Sequence, residues 1–151
     1  MPARPASVLF CCTSNALRSP MAEAIAKHLF GREIYIDSAG LGAGPLDMFA
    51  VAAMDEIGID ISGHVPKSFD DLEETAFDLI VSLSPQAQHR AVELTRAAAT
   101  ELEFWNTFDP SMIEGNRDQR LAAYREVRDG LMKRIGERLA DADAASGGPT
   151  V

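Results

Sequence analysis

The chain has 151 residues, of which 46% are hydrophobic and 25% charged, which is enough for one hydrophobic core and short for two. Its formal net charge of −9 argues against a nucleic-acid-binding protein, whose affinity comes from clustered Lys and Arg. The first apolar run is too short for a signal peptide or a membrane span, so we expect a cytoplasmic protein that has no membrane contact. We predict a single domain over residues 1–151, with its core at about 7–140 and a disordered tail at 141–151.

The first third of the chain predicts a strand, a helix and a second strand. Residues 7–12 are an apolar run, which is typical of a parallel strand that is buried on both faces. Ser19 and Pro20 are typical of the start of a helix, and the apolar residues that follow them at helical spacing predict a helix that ends before Gly31. A strand at 33–37 then leads into a loop rich in glycine and proline.

The remainder of the chain continues to alternate helices with strands. The predicted elements are, in order, a helix, a strand, a helix, a short strand and a long helix: residues 47–57, 77–83, 85–98, 102–105 and 117–140. Strands that alternate with helices are typical of a parallel sheet covered on both faces. The sequence therefore predicts an α/β three-layer sandwich.

The cysteines and histidines favour neither a disulfide nor a metal site. Cys11 and Cys12 are the chain's two cysteines, and neighbouring residues cannot form an ordinary loop-closing disulfide. His28, His64 and His89 are scattered and lack the spacing of metal ligands, so we predict no metal. Because side chains alternate along a strand, Cys11 is predicted to face the core on the side opposite Cys12.

The segment from Cys12 to Ser19 follows the first predicted strand, at the place where open parallel sheets bind ligands. Between a strand and a helix N-terminus, its backbone N–H groups can point at one tetrahedral oxyanion, two of whose oxygens Arg18 can hold. The same dipoles favour a thiolate at Cys12, which makes it a nucleophile. Asn15 suits such a loop because it tolerates left-handed backbone geometry. The predicted oxyanion-binding residues follow one another in sequence: Thr13, Ser14, Asn15, Ala16, Leu17, Arg18 and Ser19.

The run VLFCCTSNALRSPMAEA resembles the signature of the low-molecular-weight protein tyrosine phosphatases and the related arsenate reductases. Four later segments resemble that superfamily in the same order: DSAG at 37–40, GIDISGH at 58–64, FDLIVSLS at 77–84 and FWNTFDPS at 104–111. The resemblance implies a flavodoxin-like phosphatase fold with a four-stranded parallel sheet. It also implies that Asp109, followed by Pro110, is the general acid, and that no cofactor is needed.

The main activity that the resemblance implies is hydrolysis of a phosphomonoester, either a phosphorylated protein or a small phosphoester. Cys12 would attack phosphorus to form a cysteinyl-phosphate, while Arg18 and the loop amides stabilise the charge. Asp109 would protonate the leaving oxygen and then activate water. Phosphate, arsenate and vanadate are the oxyanions that we expect to bind.

The chain departs from the family pattern at three places. Ser14 stands where the loop usually has glycine, and Leu17 stands where many members carry a second loop cysteine. Residues 41–44 and the pair Ser111-Met112 replace aromatic residues that hold a phosphotyrosine ring in eukaryotic-type members. The rim of the site is therefore expected to hold an aromatic ring poorly.

Two alternative functions stay open. Residues 64–87 and the FWNTFDPS segment resemble thioredoxin-coupled arsenate reductases more than phosphatases. Those enzymes relay oxidation through two further cysteines, whereas this chain offers Ser84 and no cysteine after Cys12, so that relay cannot operate. An arsenate reductase assisted by an external small thiol would need only Cys12. The second alternative is a non-catalytic regulatory protein that binds an oxyanion.

Overall fold

The structure is a computed structural model that describes residues 4–96 and 99–140. Strands and helices alternate along the chain, and short 3-10 helices lie at residues 69–71 and 110–112. The strands are β1 (Ser7–Cys12), β2 (Tyr35–Gly40), β3 (Leu79–Ser82) and β4 (Glu101–Phe104). The helices are α1 (Arg18–Phe30), α2 (Met48–Asp55), α3 (Pro85–Leu94) and α4 (Arg117–Leu139). The predicted tail at 141–151 lies outside the described residues.

The four strands form one parallel sheet in the order β2-β1-β3-β4. Cys12 pairs with Gly40 and Cys11 pairs with Ser82, so the ends of β1, β2 and β3 are level with one another. Because all strands are parallel, the loops that follow them meet at one edge of the sheet. The predicted α/β fold with a four-stranded parallel sheet is confirmed.

The side chains of β1 point alternately into two hydrophobic layers, because successive residues of a strand face opposite sides of the sheet. Val8, Phe10 and Cys12 pack with residues of α1, α2 and α4. Leu9 and Cys11 pack in a smaller cluster with residues of α3 and the 3-10 helix at 69–71. The two cysteines therefore lie on opposite faces of the sheet although they are neighbours in sequence.

Several element boundaries differ from the predictions. Helix α1 begins at Arg18, one residue before Ser19, where the sequence predicted its start. Pro20 lies in the first turn, where its missing N–H costs no hydrogen bond because N–H groups there have no partner within the helix. The predicted strand at 33–37 is Tyr35–Gly40, which pairs with β1 along its whole length. The predicted strand at 77–83 is shortened to Leu79–Ser82, and the predicted helix at 85–98 ends at Leu94.

Within residues 4–96 and 99–140, no helix has both the length and the apolar character that crossing a bilayer requires.

Candidate active site

The loop from Cys12 to Ser19 is held in place by the segment at residues 41–47. Four loop carbonyls accept hydrogen bonds of 2.9–3.2 Å from backbone N–H groups of that segment: Leu41 to Cys12, Gly42 to Thr13, Gly44 to Ser14 and Asp47 to Ala16. These bonds turn the carbonyls outward. Among the described residues, no protein acceptor is bonded to the N–H groups of residues 14–19. The loop thus keeps a set of donors that can bind an anion.

Asn15 fixes the turn of the loop from its buried side. Its φ of 51° lies in the left-handed region, which asparagine tolerates. Its Nδ2 donates to the hydroxyls of Ser19 and Ser38, each at 2.9 Å. Its Oδ1 accepts from the N–H of Lys67 and from Nε2 of His64, each at 2.9 Å. All four hydrogen-bonding positions of the amide are occupied, so its side chain supports the loop and does not face a ligand.

Glu23 extends this network on the buried face of α1. One of its carboxylate oxygens accepts a hydrogen bond from Ser38, and the other pairs with Lys27 Nζ at 2.5 Å. Nδ1 of His64 lies 3.9 Å from Glu23. Burial lowers the pKa of His64 below its usual range, and the nearby Glu23 opposes this effect. The sequence analysis did not predict this network. Glu23 lies on the apolar face of a predicted helix, and a carboxylate at such a position indicates a buried polar partner.

The two cysteines have different surroundings. Cys12 Sγ lies 2.9 Å from the hydroxyl of Ser19, and its residue is 2% exposed. Cys11 Sγ instead faces the carbonyl of Val81 at 3.6 Å, in the other hydrophobic layer. Burial, with a smaller contribution from the charge of Cys12, raises the pKa of Cys11 far above its usual range. Cys11 is therefore an inert core thiol, and Cys12 alone faces the site.

A cavity of about 280 Å³ lies over the loop, and we call it the oxyanion cavity. Its walls come from the loop, from the segment before α2 and from the segment after β4: Cys12, Ser14, Ala16, Leu17, Arg18, Pro45, Leu46, Asp47, Asp109 and Ser111. The structure thus brings Cys12, Arg18 and Asp109 to one cavity although Asp109 is distant in sequence. Their proximity follows from the parallel sheet, whose strand ends meet at this edge.

The side chains of Arg18 and Asp109 are both held by neighbours. Arg18 Nη1 donates to the carbonyl of Thr107 at 3.0 Å, and Nη2 lies 3.5 Å from the hydroxyl of Thr13. Asp109 Oδ1 accepts from the N–H of Ser111 at 3.0 Å and from its hydroxyl at 2.6 Å. The bond to Thr107 ties Arg18 to the segment that carries Asp109, so the two side chains are positioned together.

The other predicted loop residues contribute in different ways. Ser14, Ala16 and Leu17 line the oxyanion cavity. Ser19 is fully buried and contacts Cys12. Thr13 does not line the oxyanion cavity, and its hydroxyl donates to Ser84 Oγ at 3.2 Å.

Asp47 is a cavity residue that sequence reasoning did not single out. Its Oδ1 accepts from the N–H of Phe49 at 2.8 Å, as the N-cap of α2. Its Oδ2 accepts from the hydroxyl of Tyr124 at 2.7 Å. Burial and this carboxylate raise the pKa of Tyr124 well above its usual range. The cap position before an apolar helix was the signal that could have found Asp47.

The sequence model of the low molecular weight phosphotyrosine protein phosphatase family matches residues 7–142. The chain belongs to this family. It is 38% identical to an arsenate reductase of Shouchella clausii, over 85% of this chain and 91% of that protein. It is 31% identical to a glutaredoxin arsenate reductase of Synechocystis, over 88% of this chain and 95% of that protein. A solved structure of an arsenate reductase in the phosphate binding state is 29% identical, with a TM-score of 0.70, over 88% of this chain and 95% of that one.

These relatives correct the main functional expectation. Hydrolysis of phosphomonoesters was the leading prediction, but similar curated relatives that match 85–88% of this chain are arsenate reductases. The leading prediction is therefore wrong, and arsenate reduction with an external thiol is the better supported alternative. The prediction erred because phosphatases and arsenate reductases of this superfamily share the loop and the Asp-Pro pair on which it rested. Membership of an enzyme family also disfavours the non-catalytic alternative.

Proposed function

We propose that this protein reduces arsenate to arsenite, with Cys12 as nucleophile and with electrons from an external thiol. The observation that carries the proposal is the placement of the two cysteines. Cys12 lines the oxyanion cavity, whereas Cys11 is buried in the other layer of the fold. A single reactive sulfur beside an anion-binding loop suits a reaction whose second thiol comes from outside, and the named relatives are arsenate reductases.

Binding comes first in the proposed reaction. Arsenate and phosphate are tetrahedral oxyanions, and both suit the N–H groups of residues 14–19 and the guanidinium of Arg18. These groups must overcome the repulsion of a protein whose net charge is −9. Support for oxyanion binding comes from the similar arsenate reductase solved in its phosphate binding state.

The first chemical step forms a bond between sulfur and arsenic. The thiolate of Cys12 attacks As(V), and one arsenic–oxygen bond breaks. Asp109, in its protonated form, donates its proton to a hydroxyl group of the arsenate, which leaves as water. Arg18 and the loop amides stabilise the negative charge on the remaining oxygens. Arsenic is still As(V) in the resulting adduct with Cys12.

The second step reduces arsenic. An external thiol gives its proton to Asp109 and attacks Cys12 Sγ, so that a sulfur–sulfur bond forms and the sulfur–arsenic bond breaks. The electron pair of that bond stays with arsenic, which leaves as arsenite, As(III). A second thiol then releases Cys12 from the mixed disulfide. Overall, arsenate and two thiols give arsenite, one disulfide and water.

The decisive experiment measures arsenite formation from arsenate with glutathione, with cysteine and with thioredoxin as alternative reductants. We expect arsenite with the small thiols, competitive inhibition by phosphate, and a strong loss of both turnover and phosphate binding in Arg18→Ala. Arg96→Ala is the matched control, because Arg96 is an exposed arginine beyond the end of α3. Failure to form arsenite with any of these reductants, in a protein that binds phosphate, would refute the proposal.

A further inference from the structure

A second and larger cleft adjoins the oxyanion cavity. Its volume is about 630 Å³, compared with about 280 Å³ for the oxyanion cavity. The two spaces share three residues, Ser14, Arg18 and Asp109. We call this space the thiol cleft. The remaining lining residues come from the loop, the start of α3 and the segment after β4: Thr13, Pro85, Gln86, Asn106, Thr107, Phe108 and Met112.

The position of the thiol cleft follows from the order of the strands. The oxyanion cavity is walled by residues 45–47, which follow β2 on one side of β1. The thiol cleft is walled by residues that follow β3 and β4, on the other side of β1. The loop that begins at Cys12 lines both spaces, and a molecule in the thiol cleft approaches it from the side of the residues that follow β3 and β4.

The lining of the thiol cleft combines apolar surface with amide groups. Phe108, which precedes Asp109 in the chain, is 56% exposed, and Met112, three residues after Asp109, is 72% exposed. Gln86 and Asn106 add side-chain amides that can both donate and accept hydrogen bonds. Apolar surface with a few polar groups, in a space of this size, is typical of sites for small molecules.

We propose that this cleft binds the thiol co-substrate, and that the co-substrate is a small peptide thiol of the glutathione kind. The inference rests on the proposed function, because only a reductase needs an external thiol. Cys12 is 2% exposed, so a sulfur fixed on the surface of a folded protein has poor access to it. A flexible small thiol can reach it, and its amide and carboxylate groups match Gln86, Asn106 and Arg18.

Asp109 connects the thiol cleft to the chemistry. It lines both spaces, so the same carboxylate can release its proton in the oxyanion cavity and accept one from a thiol in the cleft. In the first step it protonates the oxygen that leaves arsenic, and in the second it takes the proton of the incoming thiol. The thiolate so formed attacks Cys12 Sγ, forms the mixed disulfide and leaves the bonding pair on arsenite.

The test compares two exposed methionines on either side of the site. Met112 lines the thiol cleft and is 72% exposed, whereas Met48 is 67% exposed at the start of α2 and lines neither space. The KM for glutathione and the KM for arsenate are measured for Met112→Ala, Gln86→Ala and the control Met48→Ala. We expect Met112→Ala and Gln86→Ala each to raise the KM for glutathione several-fold, with much smaller effects on the KM for arsenate.

A comparison of glutathione with a simpler thiol makes the test more specific. 2-Mercaptoethanol has no amide or carboxylate groups, so Gln86→Ala should raise its KM far less than that of glutathione. If both variants match Met48→Ala with glutathione while arsenite still forms, the cleft assignment is wrong and the proposed function stands. Turnover with thioredoxin but not with glutathione also refutes a small-thiol site. Absence of arsenite with every reductant refutes the proposed function itself.

Discussion

The loop from Cys12 to Ser19 has two sides that differ in chemistry. On the open side, Cys12, Arg18 and the backbone N–H groups meet a cavity that Asp109 also lines. On the buried side, the amide of Asn15 makes four hydrogen bonds that link the loop to β2 and to the segment around Lys67. The open side carries the groups proposed to react, and the buried side fixes where they stand.

This difference separates two kinds of expected mutational effect. Changes on the open side should alter turnover while leaving the folded protein largely intact, because the side chains of Cys12, Arg18 and Asp109 each make fewer hydrogen bonds within the protein than the amide of Asn15 does. Changes on the buried side should alter loop geometry, and with it oxyanion affinity and stability, because buried polar groups that lose a partner are costly.

The largest effect is expected at Cys12 on the open side. Cys12→Ser should lower arsenate turnover by about 10³-fold or more, because no sulfur remains to receive electrons from the thiol. Binding of phosphate should persist, since the loop amides and Arg18 remain. Cys11→Ser is the matched control, and its turnover should stay near that of the parent because Cys11 faces the other layer. Equal losses in the two variants, measured as arsenite formed, would contradict the division between the cysteines.

A smaller loss is expected at Asp109. Asp109→Asn keeps an oxygen that can accept from Ser111 but cannot donate a carboxylic proton. Turnover of arsenate should fall about 10²- to 10⁴-fold, the range typical of general acid catalysis. The control is Ser111→Ala, which removes the hydroxyl bonded to Asp109 and leaves the acid in place. If Ser111→Ala lost as much activity as Asp109→Asn, Asp109 would be needed to hold the turn at residues 109–111 and not to transfer a proton.

Beside the loop, the buried Gly40 at the end of β2 and the exposed Gly42 should respond differently to substitution. A Cβ at Gly40 would lie 2.6 Å from both Asn15 N and Gly42 O, which are backbone atoms that cannot easily move. A Cβ at Gly42 would meet nothing within 4 Å. Gly40→Ala should therefore weaken phosphate binding and cost about 1–3 kcal/mol of unfolding free energy, while Gly42→Ala stays close to the parent. Calorimetry with phosphate and denaturant titration check both, and similar behaviour of the two variants would contradict the close approach.

The smallest effect concerns His64 and pH. Burial lowers the pKa of His64 in the folded protein below its ordinary value of about 6.5. At pH values between these two pKa values, His64 is protonated in the unfolded chain and neutral in the folded protein. The stability contributed by neutral His64 is thus complete above about pH 6.5 and is lost as the pH falls through that window, by at most about 1.4 kcal/mol per unit. His64→Asn should flatten this decline in denaturant titrations, and the exposed His28→Asn should not. A slope unaffected by His64→Asn would rule out this role.

Much of the fold and part of the site could be predicted because the signals are local. The apolar run of β1 and the alternation of strands with helices predicted the parallel sheet, and the segment from Cys12 to Arg18 predicted an anion-binding loop. The end of β2 was placed three residues early, because its last residues form a strand only by pairing with β1. The functional prediction failed for a related reason, since the motif it used serves both phosphate esters and arsenate.

By itself, the sequence determined the α/β class, the loop that begins at Cys12 and the lack of any cysteine after Cys12 for an intramolecular relay, because composition, periodicity and spacing can be read along the chain without knowing its contacts. Only the tertiary structure decided that Asp47 and Asp109 share one cavity with Arg18, that Glu23 and His64 join Asn15 beneath the loop, and that a second cleft lies beside the first. Those contacts join residues that lie far apart in the chain, and they exist because a parallel sheet gathers its strand ends at one edge.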